Sequence, residues 1–253
     1  MRTRLFALVT GATMVALVGC SVLPQSPPPL SPIAGLPASP PVRATPTPGT
    51  SPASTPKAVD VADGFSAEEH AAVRIRARTC DEFSVGSGFM LDDHTVVTNR
   101  HVVENARQIT LTTYDGEVFE GAGSVVADAA DLALVTVDDP LEFAATIGTI
   151  EPTAGDVLNI VGYPLGGPLN TRSGPFVKTV ADSLVAGRND VDLIKVRVEH
   201  GNSGSGVYDA EGNIVGVLYA TDASGDSFSV TLASLRAFLA DTSLQKPNDT
   251  TCE

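Results

Sequence analysis

The sequence predicts an all-β domain, an antiparallel barrel or sandwich with one C-terminal helix. Three observations carry this. Apolar and polar residues alternate with period two, beginning with VRIRAR at 73–78, where Val73, Ile75 and Ala77 share one face. Similar runs (SVGSGFML, HTVVTN, QITLTTY, DLALVTV, DVLNIVGY, VDLIKVRV, NIVGVLYA, SFSVTL) follow at intervals, separated by turn signals such as Asp115-Gly116 and Asp209-Ala210-Glu211-Gly212-Asn213. Helical spacing is convincing in one stretch, LASLRAFLADT at 232–242. No repeat of fixed length runs through the chain, and the absence of Trp argues against a stacking surface for bases or sugars.

Charge divides the 253 residues. Residues 1–57 contain no acid and four basic residues, so all 30 Asp+Glu lie downstream. The overall net charge of −14 repels phosphate backbones, and no nucleic-acid partner is expected.

Residues 1–19 have the order of a secretory signal: Arg2 and Arg4, then an apolar stretch from Leu5 to Gly19 that is too short to span a membrane. The ending Leu17-Val18-Gly19-Cys20 resembles the lipobox of bacterial lipoproteins, which implies that Cys20 is acylated and becomes the first residue after cleavage. An ordinary signal peptide cut near Gly19 is the alternative. Two or three acyl chains anchor stably, where one is marginal. The expected location is therefore the outer side of a cell membrane, at the cell surface or in the periplasm.

Residues 20–62 form the expected linker. Twelve of the 18 prolines fall between Ser21 and Lys57 among Ser, Thr and Ala. Proline removes donors and fixes φ, and the segment has little apolar surface to offset ordering, so it predicts a partly extended spacer. A ligand for a proline-recognising groove is the other reading. Residues 63–253 are the expected folded domain.

Three segments of that domain supply a nucleophile, a base and an orienter: TVVTNRHVV around His101, DAADLALVTV around Asp131 and EHGNSGSGV around Ser203. Each alone is weak, since a lone His after a strand or a Gly-Asn-Ser-Gly turn is commonly structural. Their co-occurrence beside β-runs, in the order His, Asp, Ser, points to acyl transfer. Asp128, Asp138 and Asp139 compete for the orienter. Asp131 is preferred because it enters the apolar run directly. His70 sits in a Glu-Glu-His stretch expected at the surface, His94 in an Asp-Asp-His turn, and His200 at a cleft rim.

With these motifs the chain resembles the trypsin-like (chymotrypsin-fold) serine peptidases, in particular the HtrA-related and glutamyl-endopeptidase-like bacterial branches, over about residues 70–240. The resemblance implies two six-stranded antiparallel β-barrels with the site between them. It assigns His101 as general base, Asp131 as orienter and Ser203 as nucleophile, with the Gly201 and Ser203 N–H groups as the oxyanion hole. Ser205 departs from the common Gly-Gly ending, although Ser also occurs there in the glutamyl-endopeptidase-like branch. The substrate pocket implied includes Val198, Tyr219, Ala220 and Ser229. Arg197 stands six residues before Ser203, where trypsin has Asp, so a preference for Lys or Arg before the scissile bond is not expected, and a modest apolar pocket is.

Three cysteines and four scattered histidines do not form a metal-ligand pattern, so neither a metal nor another cofactor is expected. In an exported protein, Cys80 and Cys252 read as one disulfide. The sequence thus predicts a monomeric, lipid-anchored serine endopeptidase acting on protein or peptide substrates. A catalytically silent envelope binding protein and a serine esterase on the same scaffold are the alternatives.

Overall fold

The computed structural model describes residues 63–182 and 189–251. The expected signal peptide, Cys20 and the linker lie outside the described residues, as does Cys252.

Six strands close the first barrel: β1 Ala72–Arg78, β2 Phe83–Met90, β3 Thr95–Thr98, β4 Gln108–Thr112, β5 Val118–Ala127 and β6 Ala133–Val137. Their ring order is β1-β2-β3-β6-β5-β4, with β4 returning to β1, and every pairing is antiparallel. The second barrel, preceded by the two-residue β7 Thr146–Ile147, uses β8 Val157–Gly162, β9 Asn170–Val180, β10 Val191–Ile194, β11 Gly206–Tyr208, β12 Asn213–Thr221 and β13 Ser227–Thr231. It closes as β8-β9-β10-β13-β12-β11, with β7 parallel to β12 outside the ring. Closure in both rings leaves no long unpaired edge.

The alternation in sequence becomes inside and outside. In β1, Val73, Ile75 and Ala77 are buried while Arg76 and Arg78 face solvent. Ile75, Met90, Val96, Leu111 and Val135 fill the first barrel, and Leu158, Ile160, Ile194, Val207 and Leu218 fill the second. Each such side chain contributes about 1.5–3 kcal/mol by leaving water. A third cluster lies between the barrels and under the C-terminal helix, bringing Phe89 and Leu132 together with Tyr208, Val217, Leu235 and Phe238. That helix, α3, comes after two short ones and spans Leu232–Ala240; Thr231 caps it by accepting from the Ser234 N–H at 3.2 Å. After a 3-10 turn at Thr242–Leu244, β14 Gln245–Pro247 adds to the first barrel beside β5, so the end of the chain ties the second barrel back to the first.

Several elements depart from the sequence expectation. β5 and β9 go unrecognised in the alternation because glycines interrupt it: Gly121 and Gly123 flank a bulge in β5, and Gly174-Pro175 sits in β9. The expected strand VDLIKVRV shortens to β10, since the Val196 N–H turns back to the Ile194 carbonyl at 2.9 Å. Two short helices, α1 Ala67–Ala71 and α2 Arg100–Val103, are additional.

His70 is a correction. It is 2% exposed rather than a surface residue. The Ser66/Glu69 capping box turns α1 so that the His70 ring stacks on Phe143, with centroids 4.5 Å apart, and meets Tyr114 edge-on. Asp63 satisfies its Nε2 at 2.9 Å.

Candidate active site

His101 lies on α2, the single turn that follows β3. Asn99 introduces the turn in extended conformation, and its Nδ2 donates to the Asp131 carbonyl at 2.7 Å. Asp131 stands at the entrance to β6 and is 3% exposed. Its Oδ1 accepts the His101 backbone N–H at 3.0 Å, and its Oδ2 lies 2.6 Å from His101 Nδ1. Facing an acceptor, Nδ1 must carry the proton, which leaves Nε2 of the neutral ring as a base. The ring itself is 45% exposed and borders the cleft. Asp128, Asp138 and Asp139 are exposed, and Asp128 pairs with Lys246 and lies 3.8 Å from Arg100.

Ser203 belongs to the turn between β10 and β11. Gly201 and Gly204 hold φ of +90° and +88°. At Gly201 a Cβ would stand 2.7 Å from both the Leu165 nitrogen and the Tyr163 oxygen, so both dihedral and space call for glycine. Neither the Gly201 nor the Ser203 N–H donates to a protein acceptor among the described residues, which leaves two donors beside the hydroxyl.

His101 and Ser203, from different barrels, line one cleft of about 540 Å³. Val198, Tyr219 and Ala220 also line it, and so does Arg197. Ser229 does not. At 1% exposure it is paired with Leu218 and turned against Gly216 inside the second barrel. His200 is exposed and borders the cleft, and His94 is a turn residue whose Nδ1 meets the Val137 carbonyl at 3.1 Å. On its other side His101 borders a second cleft of about 580 Å³, shared with Cys80, Phe83, Glu104 and Asp249. Two supports of the Ser203 turn escape the motif reading, the 163–167 loop and Ser87. The GSG at 86–88 is the one local signal for the latter.

Two closed six-stranded barrels, with a His-Asp pair on one and a glycine-flanked serine on the other, define the trypsin-like class. The family described as trypsin-like peptidase domain matches residues 86–217, just over half of the chain, and the chain belongs to that family. Among individual proteins, serine protease Rv3671c of Mycobacterium tuberculosis is 31% identical over 202 residues, covering 72% of this chain and 48% of the relative. Serine protease HTR4 of Rattus norvegicus is 26% identical over 165 residues, covering 62% and 34%. The chain therefore spans about a third to a half of the length of these curated relatives. The crystal structure of the active form of the Rv3671c protease shares the fold, with a TM-score of 0.66 at 23% identity over 74% of this chain and 86% of that one.

Proposed function

We propose that this chain is a serine endopeptidase with Ser203 as nucleophile, His101 as general base and Asp131 as orienter. The observation that carries the reading is the double engagement of Asp131 with His101, set across one cleft from the Ser203 turn and its two unengaged N–H donors. The relatives' names as serine proteases support it. In the reaction, Ser203 Oγ forms a bond to the scissile carbonyl carbon as its proton passes to His101 Nε2. Asp131 stabilises the imidazolium that results. The Gly201 and Ser203 N–H groups bind the oxyanion, and their fixed dipoles need no reorganisation as charge develops. Collapse breaks the C–N bond while His101 protonates the leaving amine. Water, deprotonated by the same imidazole, then releases the acyl group. Val198, Tyr219 and Ala220 receive the substrate side chain.

The test is labelling of intact protein with a fluorophosphonate, followed by peptide mapping and by turnover of a denatured protein substrate. The expected label is on Ser203 alone. A folded protein that neither labels nor cleaves overturns the reading.

Export with acylation of Cys20 is part of the same proposal and rests on the Leu17-Val18-Gly19-Cys20 segment. Cys20→Ala is expected to abolish acyl-lipid incorporation and membrane partitioning. Normal incorporation in that variant contradicts it. A Cys80–Cys252 disulfide is proposed as well. It is supported by Asp249 and Thr251, the latter next to Cys252 in the chain, bordering the same cleft as Cys80. Non-reducing peptide mapping should recover the two cysteines linked, and two alkylatable thiols would refute the pairing.

A further inference from the structure

Ser87, on β2 of the first barrel, is fully buried and commits each of its polar atoms. Its N–H donates to the Ser203 carbonyl at 2.7 Å. Its hydroxyl donates to the Gly201 carbonyl at 2.7 Å and accepts the Tyr163 N–H at 2.9 Å. Its carbonyl accepts from Thr98 Oγ1 at 2.7 Å. A Cβ on Gly204 would run into that same carbonyl, so the turn lies directly on the Ser87 backbone.

A peptide unit is rigid, and its C=O and the following N–H point in opposite directions. Fixing a carbonyl therefore aims the next N–H. From His200 to Gly204 there are four such units, and each is pinned. The His200 carbonyl, in the unit that carries the Gly201 N–H, accepts from the Leu165 N–H at 2.5 Å. The Asn202 carbonyl, in the unit that carries the Ser203 N–H, accepts from the Ser205 N–H at 2.9 Å. The two remaining units, with the Gly201 and Ser203 carbonyls, are both held by Ser87. Ser87 thus pins the units that flank the oxyanion donors. The Gly201 unit lies between the two donors, with a glycine at φ +90° on one side, and besides Ser87 it is held by the Asn202 N–H donating to the Glu199 carbonyl at 3.2 Å. The 163–167 loop is braced from the first barrel too, by Arg74 Nη1 donating to the Gly166 carbonyl at 3.2 Å.

We propose that Ser87 is a positioning residue: its hydroxyl, bridging Tyr163 and Gly201 across the two barrels, holds the peptide unit between the Gly201 and Ser203 N–H donors and so fixes the two donors relative to each other. The inference rests on the peptidase reading for its kinetic consequence but not for its geometry. Ser87 touches no substrate, so its loss should leave substrate binding and His101 basicity alone while weakening stabilisation of the oxyanion.

The experiment compares wild type with Ser87→Ala, which removes the bridge, and Ser87→Cys, which keeps the approximate shape but donates weakly. Turnover per active site, counted by burst titration, is expected to fall roughly 10–100-fold in both variants, less than the ~10²–10³ lost when an oxyanion donor is deleted outright. KM should stay within about threefold, and the midpoint of the acid limb of the pH profile should not move. A merely structural role would lower the number of titrated sites at unchanged turnover, or would let Ser87→Cys work as wild type. Either result overturns the proposal. Hydrogen exchange of the peptide spanning 199–205 supplies a second readout that needs no activity. It should accelerate in both variants while the strands of the two barrels exchange as before. If wild type proves inactive, the peptidase reading falls and exchange alone decides. Unchanged exchange at 199–205 in a folded variant refutes the positioning role in every case.

Discussion

Asp131 holds His101 at two points, by Oδ2 at 2.6 Å from the ring Nδ1 and by Oδ1 at 3.0 Å from the backbone N–H. One buried carboxylate thus fixes both the tautomer of the ring and the start of the short helix that carries it. An amide in its place keeps one acceptor; with that oxygen on the His101 backbone N–H it turns an NH₂ group toward Nδ1, and Nε2 would then carry the proton. Asp131→Asn is therefore expected to fold with an unchanged circular dichroism spectrum and to lose on the order of 10⁴ in kcat. A loss of less than about tenfold would remove Asp131 from the orienting role.

Ser203 and His101 sit on different barrels, yet proton and nucleophile must move together for either to contribute. Ser203→Ala and His101→Ala are each expected to remove nearly all peptide hydrolysis, with the double variant hardly slower than either single one. Steady-state kinetics on all three, at protein concentrations high enough to see residual turnover, checks this. Multiplying single effects would show that the two side chains act independently.

How much of this was legible beforehand follows from the range over which each feature is encoded. β1 and β6 are short alternating runs and β3 is a short β-branched one, and the candidates His101, Asp131 and Ser203 each lie inside a motif a few residues wide, so local pattern points to them. β5 and β9 hide because Gly121, Gly123 and Gly174 erase the alternation just where the strands bulge or pack closely. His70 reads as a surface residue because its Glu-Glu neighbours are polar, whereas the ring's fate is decided by Tyr114 and Phe143, far along the chain. Ser229 alternates correctly but faces the interior of its barrel rather than the cleft, a difference of face that a motif does not carry. The Ser87 contacts with Tyr163 and Gly201 span 76 and 114 positions and arise once two barrels have closed against each other.

Gly201 offers a test of the turn separate from its hydrogen bonds. Its φ of +90° disfavours any side chain, and a Cβ would meet backbone atoms of Tyr163 and Leu165 at 2.7 Å, which cannot rotate away as a flexible side chain could. Gly201→Ala should therefore destabilise the fold by about 1–3 kcal/mol. It should also cost at least the effect of one oxyanion donor, about 10²-fold in kcat. Urea unfolding and kinetics on the same preparation separate the two. Wild-type turnover in Gly201→Ala would mean that this N–H is not an oxyanion donor.

Asp192 lies on β10, is buried, and accepts a hydrogen bond from Thr179 Oγ1 at 2.7 Å. Burial raises its carboxyl to about 6, with Thr179 pulling it down and the charge of Glu151 adding to the rise. Because the folded value lies above the unfolded one, the folded state keeps a proton that the unfolded chain has already released. The contribution is fully present below about pH 4, declines as pH rises between about 4 and 6, and is gone above that. A shift of this size corresponds to about 3 kcal/mol between the two ends of the window. Asp192→Asn stays neutral throughout and can still accept from Thr179. Near pH 4 the variant should be the less stable of the two by the cost of the amide hydrogens that lack partners, and by pH 8 it should have gained about 3 kcal/mol on wild type. Urea denaturation of both proteins across pH 4–8 gives the difference directly. A difference that does not change with pH would show that Asp192 does not titrate within this window.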